Sequence, residues 1–168
     1  MLCRSPFGVG LAHRLDYGTC GLIIGYKTYA MRTNLIYQFY KKNLIKKYIS
    51  LAATSGAIKF SNLCHSANLS TLYVNALTFK LLDHKLIIGK RHQIRLTYRH
   101  ICGDRTYCAK LCTSGVWSCL ISSLRHQCLT SYISCLYHVG GLLTFECGLR
   151  PLFRYVLINF LKLSALRV

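Results

Sequence analysis

Apolar and polar positions alternate along the chain in a pattern that predicts several short strands and two helices. The predicted strands are Leu22–Tyr26, Leu44–Ala53, Leu72–Leu82 and Lys85–Ile88, and the predicted helices run from a cap at Thr28 to about Lys42 and from about Arg91 to Ile101. Consecutive strands that follow one another without a helix favour antiparallel pairing. The order therefore predicts an α+β fold with a mixed, mostly antiparallel sheet and flanking helices.

The strand Leu44–Ala53 is predicted to separate two kinds of side chain, because successive residues of a strand point to opposite faces. One face carries Ile45, Ile49 and Leu51, and the other carries Lys46, Tyr48 and Ser50. The first set suits a buried core and the second suits a polar cleft. For Tyr48, a half-buried sheet tyrosine without a functional role is the alternative.

The helix predicted from Arg91 has an apolar face and a basic face, each with spacings of three and four residues. The apolar positions are Ile94, Tyr98 and Ile101, and the basic positions are His92, Arg95 and Arg99. We expect the apolar side chains to pack on the core, which leaves the basic ones free to reach a ligand.

The charge of the chain is unusual for a globular protein. Among its 168 residues are 22 Lys and Arg but only four acids (Asp16, Asp83, Asp104 and Glu146), for a formal net charge of +18. The positive charge favours a polyanionic partner, most commonly nucleic acid; an anionic membrane or no specific partner are the alternatives.

The hydrophobic fraction of the chain is 52%, which excludes intrinsic disorder. The absence of a linker indicates one domain over residues 1–168.

The ten cysteines do not predict a disulfide scaffold, because residues 1–15 lack the pattern of a secretory signal. A zinc site is suggested only at His100, Cys102, Cys108 and Cys112, and their spacing fits no standard ligand pattern. We therefore expect reduced, buried thiols and no metal. The longest uncharged stretch, Gln127–Phe145 with His138 inside it, predicts a buried core segment rather than a membrane span, since it holds several polar residues.

Asp16 is the first candidate for chemistry. It ends the segment His13-Arg14-Leu15-Asp16 on a loop before the strand at Leu22, where a rigid scaffold can hold a catalytic group. Nearby cations favour an ionised carboxylate, as a nucleophile or base requires. The alternative is an aspartate that only caps the turn at Gly18.

The basic segment from Gly89 to Arg95 is the second candidate. Three basic residues around a helix start oppose the helix dipole, so a compensating anion such as phosphate is expected there. A solvated basic face is the alternative.

Taken together, these segments resemble the signatures of RluA-type RNA pseudouridine synthases. The similar segments are His13–Asp16 with Thr19-Cys20-Gly21 (family pattern His-Arg-Leu-Asp-x-x-Thr-Ser-Gly), Lys46–Leu51 (the Lys-x-Tyr strand), Gly89–Arg95 (Gly-Arg-Thr-His-Gln-Ile-Arg) and Gly103–Tyr107 (Gly-Asp-x-x-Tyr). Weaker similarities occur at Arg125–Ser131 and Phe145–Phe153. The resemblance is colinear from His13 to about Phe153.

The chain departs from the family pattern at several positions. Cys20 replaces Ser, Lys90 and Arg91 replace Arg and Thr, Cys108 replaces a turn Gly, Thr130 replaces His, and Cys147 replaces Pro. Only twelve residues precede His13, so the strand pair that family members carry there is expected to be missing. No S4-like RNA-binding domain is expected.

The resemblance implies an isomerase that converts uridine to pseudouridine in ribosomal or transfer RNA, without cofactor or metal. A uridine everted into a basic cleft would be cleaved at its glycosidic bond and rejoined through C5. Asp16 is implied as the catalytic residue, acting as a nucleophile at C1′ or a base at C2′. Tyr48 would pack against the uracil and could assist removal of the C5 proton, and Arg95 would pair with Asp16. The implied RNA-binding residues are His13, Arg14 (which would fill the space left by the base), Lys46, Lys90, Arg91, His92 and Gln93.

Two other functions remain open from the sequence. One is a non-catalytic RNA-binding protein or RNA chaperone that keeps only the basic surface, and the other is a small membrane-associated basic protein. We expect a monomer that works on RNA in the cytoplasm, or in a mitochondrion or plastid if a transit segment precedes this start.

Overall fold

The computed structural model describes residues 10–54, 64–74, 77–86, 89–98, 100–107 and 124–160. Its strands are β1 (Gly10–Leu11), β2 (Cys20–Gly21), β3 (Gly25–Tyr26), β4 (Ile45–Thr54), β5 (Cys64–Val74), β6 (Leu77–Leu86), β7 (Leu129–His138) and β8 (Gly141–Glu146). Its helices are α1 (Tyr29–Tyr40), α2 (Gln93–Thr97) and α3 (Pro151–Tyr155), and a π-helical segment, Val156–Phe160, follows α3.

The strands form one large sheet and one small one. The small sheet pairs β1 with β3, and the large sheet has the order β2-β7-β4-β6-β5, with β8 also paired to β7. Every pairing is antiparallel except the short parallel contact between β2 and β7. The prediction of an α+β fold with a mixed, mostly antiparallel sheet is confirmed.

Strand β4 lies at the centre of the sheet and separates two cores. Ile49 and Leu51 belong to a cluster that includes Phe153 of α3, whereas Tyr48 belongs to a cluster that includes Ile94 of α2. The predicted division of side chains along this strand is therefore observed. The face that carries Tyr48 and α2 is the one on which the candidate site lies.

The segment Leu72–Leu82 is not one strand, as predicted, but parts of two. β5 and β6 form an antiparallel pair in which Val74 lies opposite Leu77. The predicted break after Leu82 is also wrong, because β6 continues through Asp83 and His84 to Leu86. Asp83 accepts a hydrogen bond of 2.9 Å from the Tyr132 hydroxyl, and His84 Nε2 shares one of 2.6 Å with the Ser50 hydroxyl. Ile87 and Ile88 lie outside the described residues.

Helix α2 ends at Thr97 rather than at Ile101. The chain beyond it joins the sheet instead, since the Ala53 amide donates to the His100 carbonyl at 2.9 Å and the Cys102 amide donates to the Leu51 carbonyl at 2.9 Å. Ile94, Tyr98 and Ile101 are nevertheless all buried, as predicted. Arg99 lies outside the described residues.

The uncharged stretch from Gln127 forms the β7–β8 hairpin. Within the part of the chain that the structure describes, no helix is long and apolar enough to span a membrane. Five cysteines of these ranges are free thiols (Cys20, Cys102, Cys128, Cys135 and Cys147). The described residues contain no group of three or more potential metal ligands, and Cys108 and Cys112 of the suggested cluster are not among them.

Gly21 fixes the approach of the β2 loop to β7. Its φ of +109° is in the left-handed region, and a Cβ there would lie 2.0 Å from the Ser131 carbonyl oxygen. We expect Gly21→Ala to lower the free energy of unfolding by at least about 2 kcal/mol, measured by urea denaturation, because it adds both backbone strain and a clash. Gly148→Ala is the control, since nothing lies within 4 Å of its Cβ position, and it should change stability by less than about 0.5 kcal/mol. Equal stability of the two variants would contradict the close packing of β2 on β7.

Candidate active site

Asp16 begins a tight turn just before β2. The Thr19 amide donates to the Asp16 carbonyl at 3.0 Å, and Gly18 supplies the left-handed conformation, with φ of +82°, that the turn requires. The Gln127 side-chain amide donates to the Thr19 hydroxyl and so fastens the turn to the segment before β7. The Asp16 side chain is left 27% exposed. A carboxylate held this firmly and still open to solvent is suited to act on a bound molecule.

Asp16 and Tyr48 line the same cleft, between the turn, the start of β4 and the segment before α2. The other lining residues are Arg14, Leu15, Thr19, Lys46, Leu86, Gly89, Lys90, Gln93, Ile94 and Leu129. Three of these are basic, whereas Asp16 is the single acidic one. The cleft therefore combines an apolar floor with a positive rim, which suits an anionic ligand that carries a flat ring.

Tyr48 is 7% exposed and forms part of that floor. Burial raises its pKa to about 12; the Ser131 hydroxyl opposes this shift and the charge of Asp16 adds to it. Tyr48 is therefore a neutral phenol at pH 7, and its ring suits packing against a base.

Arg95 does not pair with Asp16, which corrects the prediction from the sequence. Its guanidinium donates instead to Asp104, from Nε to Oδ2 at 2.7 Å and from Nη2 to Oδ1 at 2.9 Å. A buried arginine needs a close partner, and Asp104, nine positions further on, is also buried and meets it with both oxygens. The hydrogen bond to Asp104 raises the pKa of Arg95, and Asp16 contributes a smaller effect in the same direction.

Asp104 also shapes the loop that follows it. Its Oδ1 accepts the backbone amides of Thr106 at 3.0 Å and Tyr107 at 3.3 Å. Burial alone would raise the pKa of Asp104, but the hydrogen bonds and charge of Arg95 and the two amides hold it below its usual value. Arg95 also lies over the Tyr107 ring, 5.0 Å from its centroid. The ion pair thus fixes Tyr107 next to the site.

A second pocket lies on the other side of the Asp16 turn. It is lined by Tyr17, Gly18, Arg95, Gly103, Asp104, Arg105, Thr106, Arg125, His126 and Gln127. Arg95 and Asp104 neutralise each other, so the exposed side chains of Arg105 and Arg125 set its charge. The turn that carries Asp16 therefore separates a cleft from a basic pocket.

The predicted RNA-binding residues divide between the cleft and the interior. Arg14, Lys46, Lys90 and Gln93 line the cleft, and Arg91 is exposed beside it. Burial lowers the pKa of Lys46, whose Nζ lies 5.0 Å from the centroid of the Phe39 ring. His92 lies next to Asp16, with 3.7 Å between its Nε2 and Asp16 Oδ1.

His13 does not line the cleft, in contrast to its predicted role in RNA binding. Its Nε2 accepts a hydrogen bond of 3.1 Å from the Ile24 amide, and its ring meets Phe39 edge to face. Burial, with Lys46 nearby, lowers the pKa of His13 to about 4, against a weaker opposing effect of the Arg14 backbone. His13 is therefore uncharged at neutral pH. Its hydrogen bond ties the segment before the Asp16 turn to Ile24, the residue before β3.

Comparison with known proteins agrees with this geometry. Residues 4–100, more than half of the chain, match the family model described as RNA pseudouridylate synthase. The chain belongs to this family. It is 28% identical over 121 residues to "Ribosomal large subunit pseudouridine synthase D" of Haemophilus influenzae, an alignment that covers 58% of this chain and 37% of that protein. The chain thus spans little more than a third of the length of this curated relative.

Two solved structures share the fold of this RNA pseudouridylate synthase family member. One is "Human RNA Pseudouridylate Synthase Domain Containing 4", with a TM-score of 0.68 and 17% identity over 88% of this chain and 74% of that one. The other is "Human RNA Pseudouridylate Synthase Domain Containing 1", with a TM-score of 0.57 and 12% identity over 82% of this chain and 68% of that one.

Two residues of this family member's site were not singled out from the sequence. Tyr17 is 92% exposed beside Asp16, and Gln127 holds the turn. Tyr17 could have been noticed, because an aromatic residue next to a turn glycine has no core to fill. The position of Gln127 depends on a contact over 108 residues, which no local pattern predicts. Tyr107 belongs to the family-like segment Gly103–Tyr107, but its hydrogen bond of 3.0 Å to His92 Nδ1 was not predicted.

Proposed function

We propose that this chain is an RNA pseudouridine synthase that isomerises a uridine of ribosomal or transfer RNA. The observation that carries the proposal is the placement of Asp16 beside Tyr48 in a cleft with a basic rim. Membership of the RNA pseudouridylate synthase family supplies the reaction class. The named relative acts on the large ribosomal subunit according to its description, which supports ribosomal RNA as the first substrate to test.

The other carboxylates support the assignment by elimination. Asp83 accepts the Tyr132 hydroxyl, Asp104 is held by Arg95, and Glu146 lies exposed on β8. All four acids of the chain lie in the described ranges, and Asp16 is the one that lines the cleft. A role in the turn alone would not explain why the Asp16 side chain lines a basic cleft.

In the proposed reaction, RNA presents an everted uridine to the cleft, and the uracil packs on the neutral Tyr48 ring. Asp16 acts on the ribose, at C1′ as a nucleophile or at C2′ as a base, while the N1–C1′ glycosidic bond breaks and the base rejoins C1′ through C5. The C5 proton is then lost to solvent and N1 takes up a proton, so that the product is an isomer of uridine. Arg14, on the rim, is exposed and suited to occupy the space that the base leaves. Lys46 and Lys90 neutralise phosphate at the same edge.

Tritium release tests the reaction directly. The full chain is incubated with large-subunit ribosomal RNA or transfer RNA transcribed in vitro with tritium at uridine C5, and tritium in water is followed. We expect release with one of these substrates. RNA binding without release from either substrate would favour the non-catalytic RNA-binding alternative.

The basic second pocket is proposed to hold a phosphate next to the everted nucleotide, because it adjoins the Asp16 turn. We expect Arg105→Gln with Arg125→Gln to weaken RNA binding and to reduce the slope of log K against log salt by about 1.4, or roughly 0.7 for each lost phosphate contact. Filter binding between low and moderate salt measures this slope. Arg154→Gln is the control, since Arg154 is exposed on α3 and lines neither pocket; a change as large as that of the double variant would argue against the pocket.

We also propose that the chain acts as a monomer, without cofactor, in the cytoplasm or in an organelle such as a mitochondrion or plastid. The free thiols of the described cysteines suit a reducing compartment. Cell fractionation and sedimentation of the purified chain test these two statements.

A further inference from the structure

His92 has an unusual backbone conformation beside the catalytic cleft. It precedes α2 with φ of 54° and ψ of 24°, the left-handed region that residues other than glycine rarely adopt. Its side chain makes no capping hydrogen bond to the helix. The imidazole of this strained residue is therefore not used to cap α2. Backbone strain of this kind is typical of functional sites.

The imidazole lies between two polar groups from distant parts of the chain. Its Nδ1 is 3.0 Å from the Tyr107 hydroxyl, and its Nε2 is 3.7 Å from Asp16 Oδ1. The second distance is longer than a hydrogen bond, but such contacts are commonly long before a substrate closes the site. One ring nitrogen thus meets a group that can donate, while the other faces a carboxylate that can only accept when ionised.

These contacts select one tautomer of neutral His92. If the Tyr107 hydroxyl donates to Nδ1, the proton of the ring is on Nε2 and points towards Asp16. The opposite tautomer would place a lone pair of Nε2 against the carboxylate, which is repulsive. A hydrogen bond to one ring nitrogen commonly determines in this way whether the other nitrogen carries the proton.

Tyr107 is itself held in place by the buried ion pair. Asp104 accepts its backbone amide, and Arg95 covers its ring. The titratable groups that His92 meets are thus Asp16 on the turn and Tyr107 on the loop after α2, and Arg95 of α2 lies over the Tyr107 ring. Through this chain of contacts, Arg95 can influence Asp16 without touching it.

We propose that His92 is a positioning residue for Asp16, and that the Tyr107 hydroxyl holds His92 with its Nε2 proton directed at the carboxylate. This inference rests on the proposed function, since it assigns a role in the reaction of Asp16. It differs from the role in RNA binding that the sequence suggested for His92. A phosphate contact would require a ring nitrogen that is open to RNA, whereas both nitrogens face protein groups.

Three substitutions separate these roles. Tyr107→Phe removes only the hydroxyl, His92→Gln keeps an N–H donor near the position of Nε2, and His92→Asn keeps a polar group near Nδ1 but loses the donor towards Asp16. Asn also tolerates the left-handed conformation, so loss of activity in that variant would not come from backbone strain. Circular dichroism and thermal unfolding of each variant check that it is folded.

The rate constant of tritium release is measured in a single turnover, with the full chain in excess over the substrate RNA labelled at uridine C5. We expect His92→Asn to lower this rate constant by about 10- to 100-fold, because it loses one hydrogen bond to a charged group. Tyr107→Phe should lower the rate constant by about 5- to 10-fold. His92→Gln should keep it within about fivefold of the native chain, since that variant retains the donor. RNA affinity and its salt dependence should stay within about twofold. Weaker binding with an unchanged rate constant, or equal rates for the Gln and Asn variants, would overturn the inference.

A spectroscopic measurement makes the inference independent of activity. Two-bond ¹H–¹⁵N spectra of the ¹⁵N-labelled chain report which ring nitrogen of His92 carries the proton. We expect the Nε2–H tautomer in the native chain and a mixture in Tyr107→Phe. An unchanged tautomer in that variant would overturn the inference, whereas a native chain with the expected tautomer but no tritium release would count against the proposed function alone.

Discussion

Asp16→Asn is expected to reduce the rate of tritium release by about 10⁴-fold or more, because an amide of nearly the same shape can neither attack C1′ nor remove a proton from C2′. RNA binding should be retained or slightly tighter, since the substitution removes the acidic group from a cleft with a basic rim. Single-turnover tritium release and filter binding measure the two quantities on the same preparation.

Glu146→Gln is the matched control for that substitution. It also neutralises one carboxylate, but Glu146 lies on the exposed strand β8 and lines neither pocket. Its rate should equal that of the native chain. Substantial activity in Asp16→Asn, or equal losses in both variants, would rule out Asp16 as the catalytic group.

Asp104→Asn is expected to lower the free energy of unfolding by about 3–5 kcal/mol, the usual cost of leaving one partner of a buried ion pair uncompensated. The side chains of Arg95 and Asp104 are 6% and 0% exposed, so solvent cannot replace the lost partner. Urea denaturation followed by circular dichroism measures the change. Asp83→Asn is the control and should cost no more than about 1 kcal/mol, because its Oδ1 can still accept the Tyr132 hydroxyl.

The same ion pair predicts how stability depends on pH. Folding lowers the pKa of Asp104, so its contribution is complete above the pKa of an unfolded aspartate, about 3.9, and is lost as the pH falls towards the lower pKa of the folded state. The native chain should therefore lose stability below about pH 4 more steeply than Asp104→Asn. Parallel pH curves for the two chains would contradict a salt bridge of this strength.

A linear motif could not determine which carboxylate pairs with Arg95. A basic residue on the polar side of α2 could reach any carboxylate nearby, and two of the four acids lie within its range. Asp104 makes the bidentate contact, while Asp16 acts on Arg95 only through its charge. Which of the two acids Arg95 pairs with depends on the path of the loop after α2. Hydrogen bonds of this loop to Ala53 and Leu51 of β4 fix that path.

The division of β4 into two faces was predictable for a different reason. A strand has a strict period of two, so Lys46 and Tyr48 must share one face once the segment is extended. At Leu72–Leu82 the pattern predicted one strand, although the segment contains parts of two strands, β5 and β6. Side-chain periodicity reports faces within a strand, whereas the position of a reversal depends on pairing energy summed over both strands.

The sequence by itself determined the α+β class, the basic character of the surface and the candidacy of Asp16 and Tyr48, because charge, strand periodicity and local motifs are read from neighbouring residues. Only the tertiary structure decided which partners these residues meet: Asp104 for Arg95, Tyr107 and Asp16 for His92, and the protein interior for His13. Such pairings join residues from separate segments. Their energies depend on burial and on the geometry of approach, which exist only after the chain has folded.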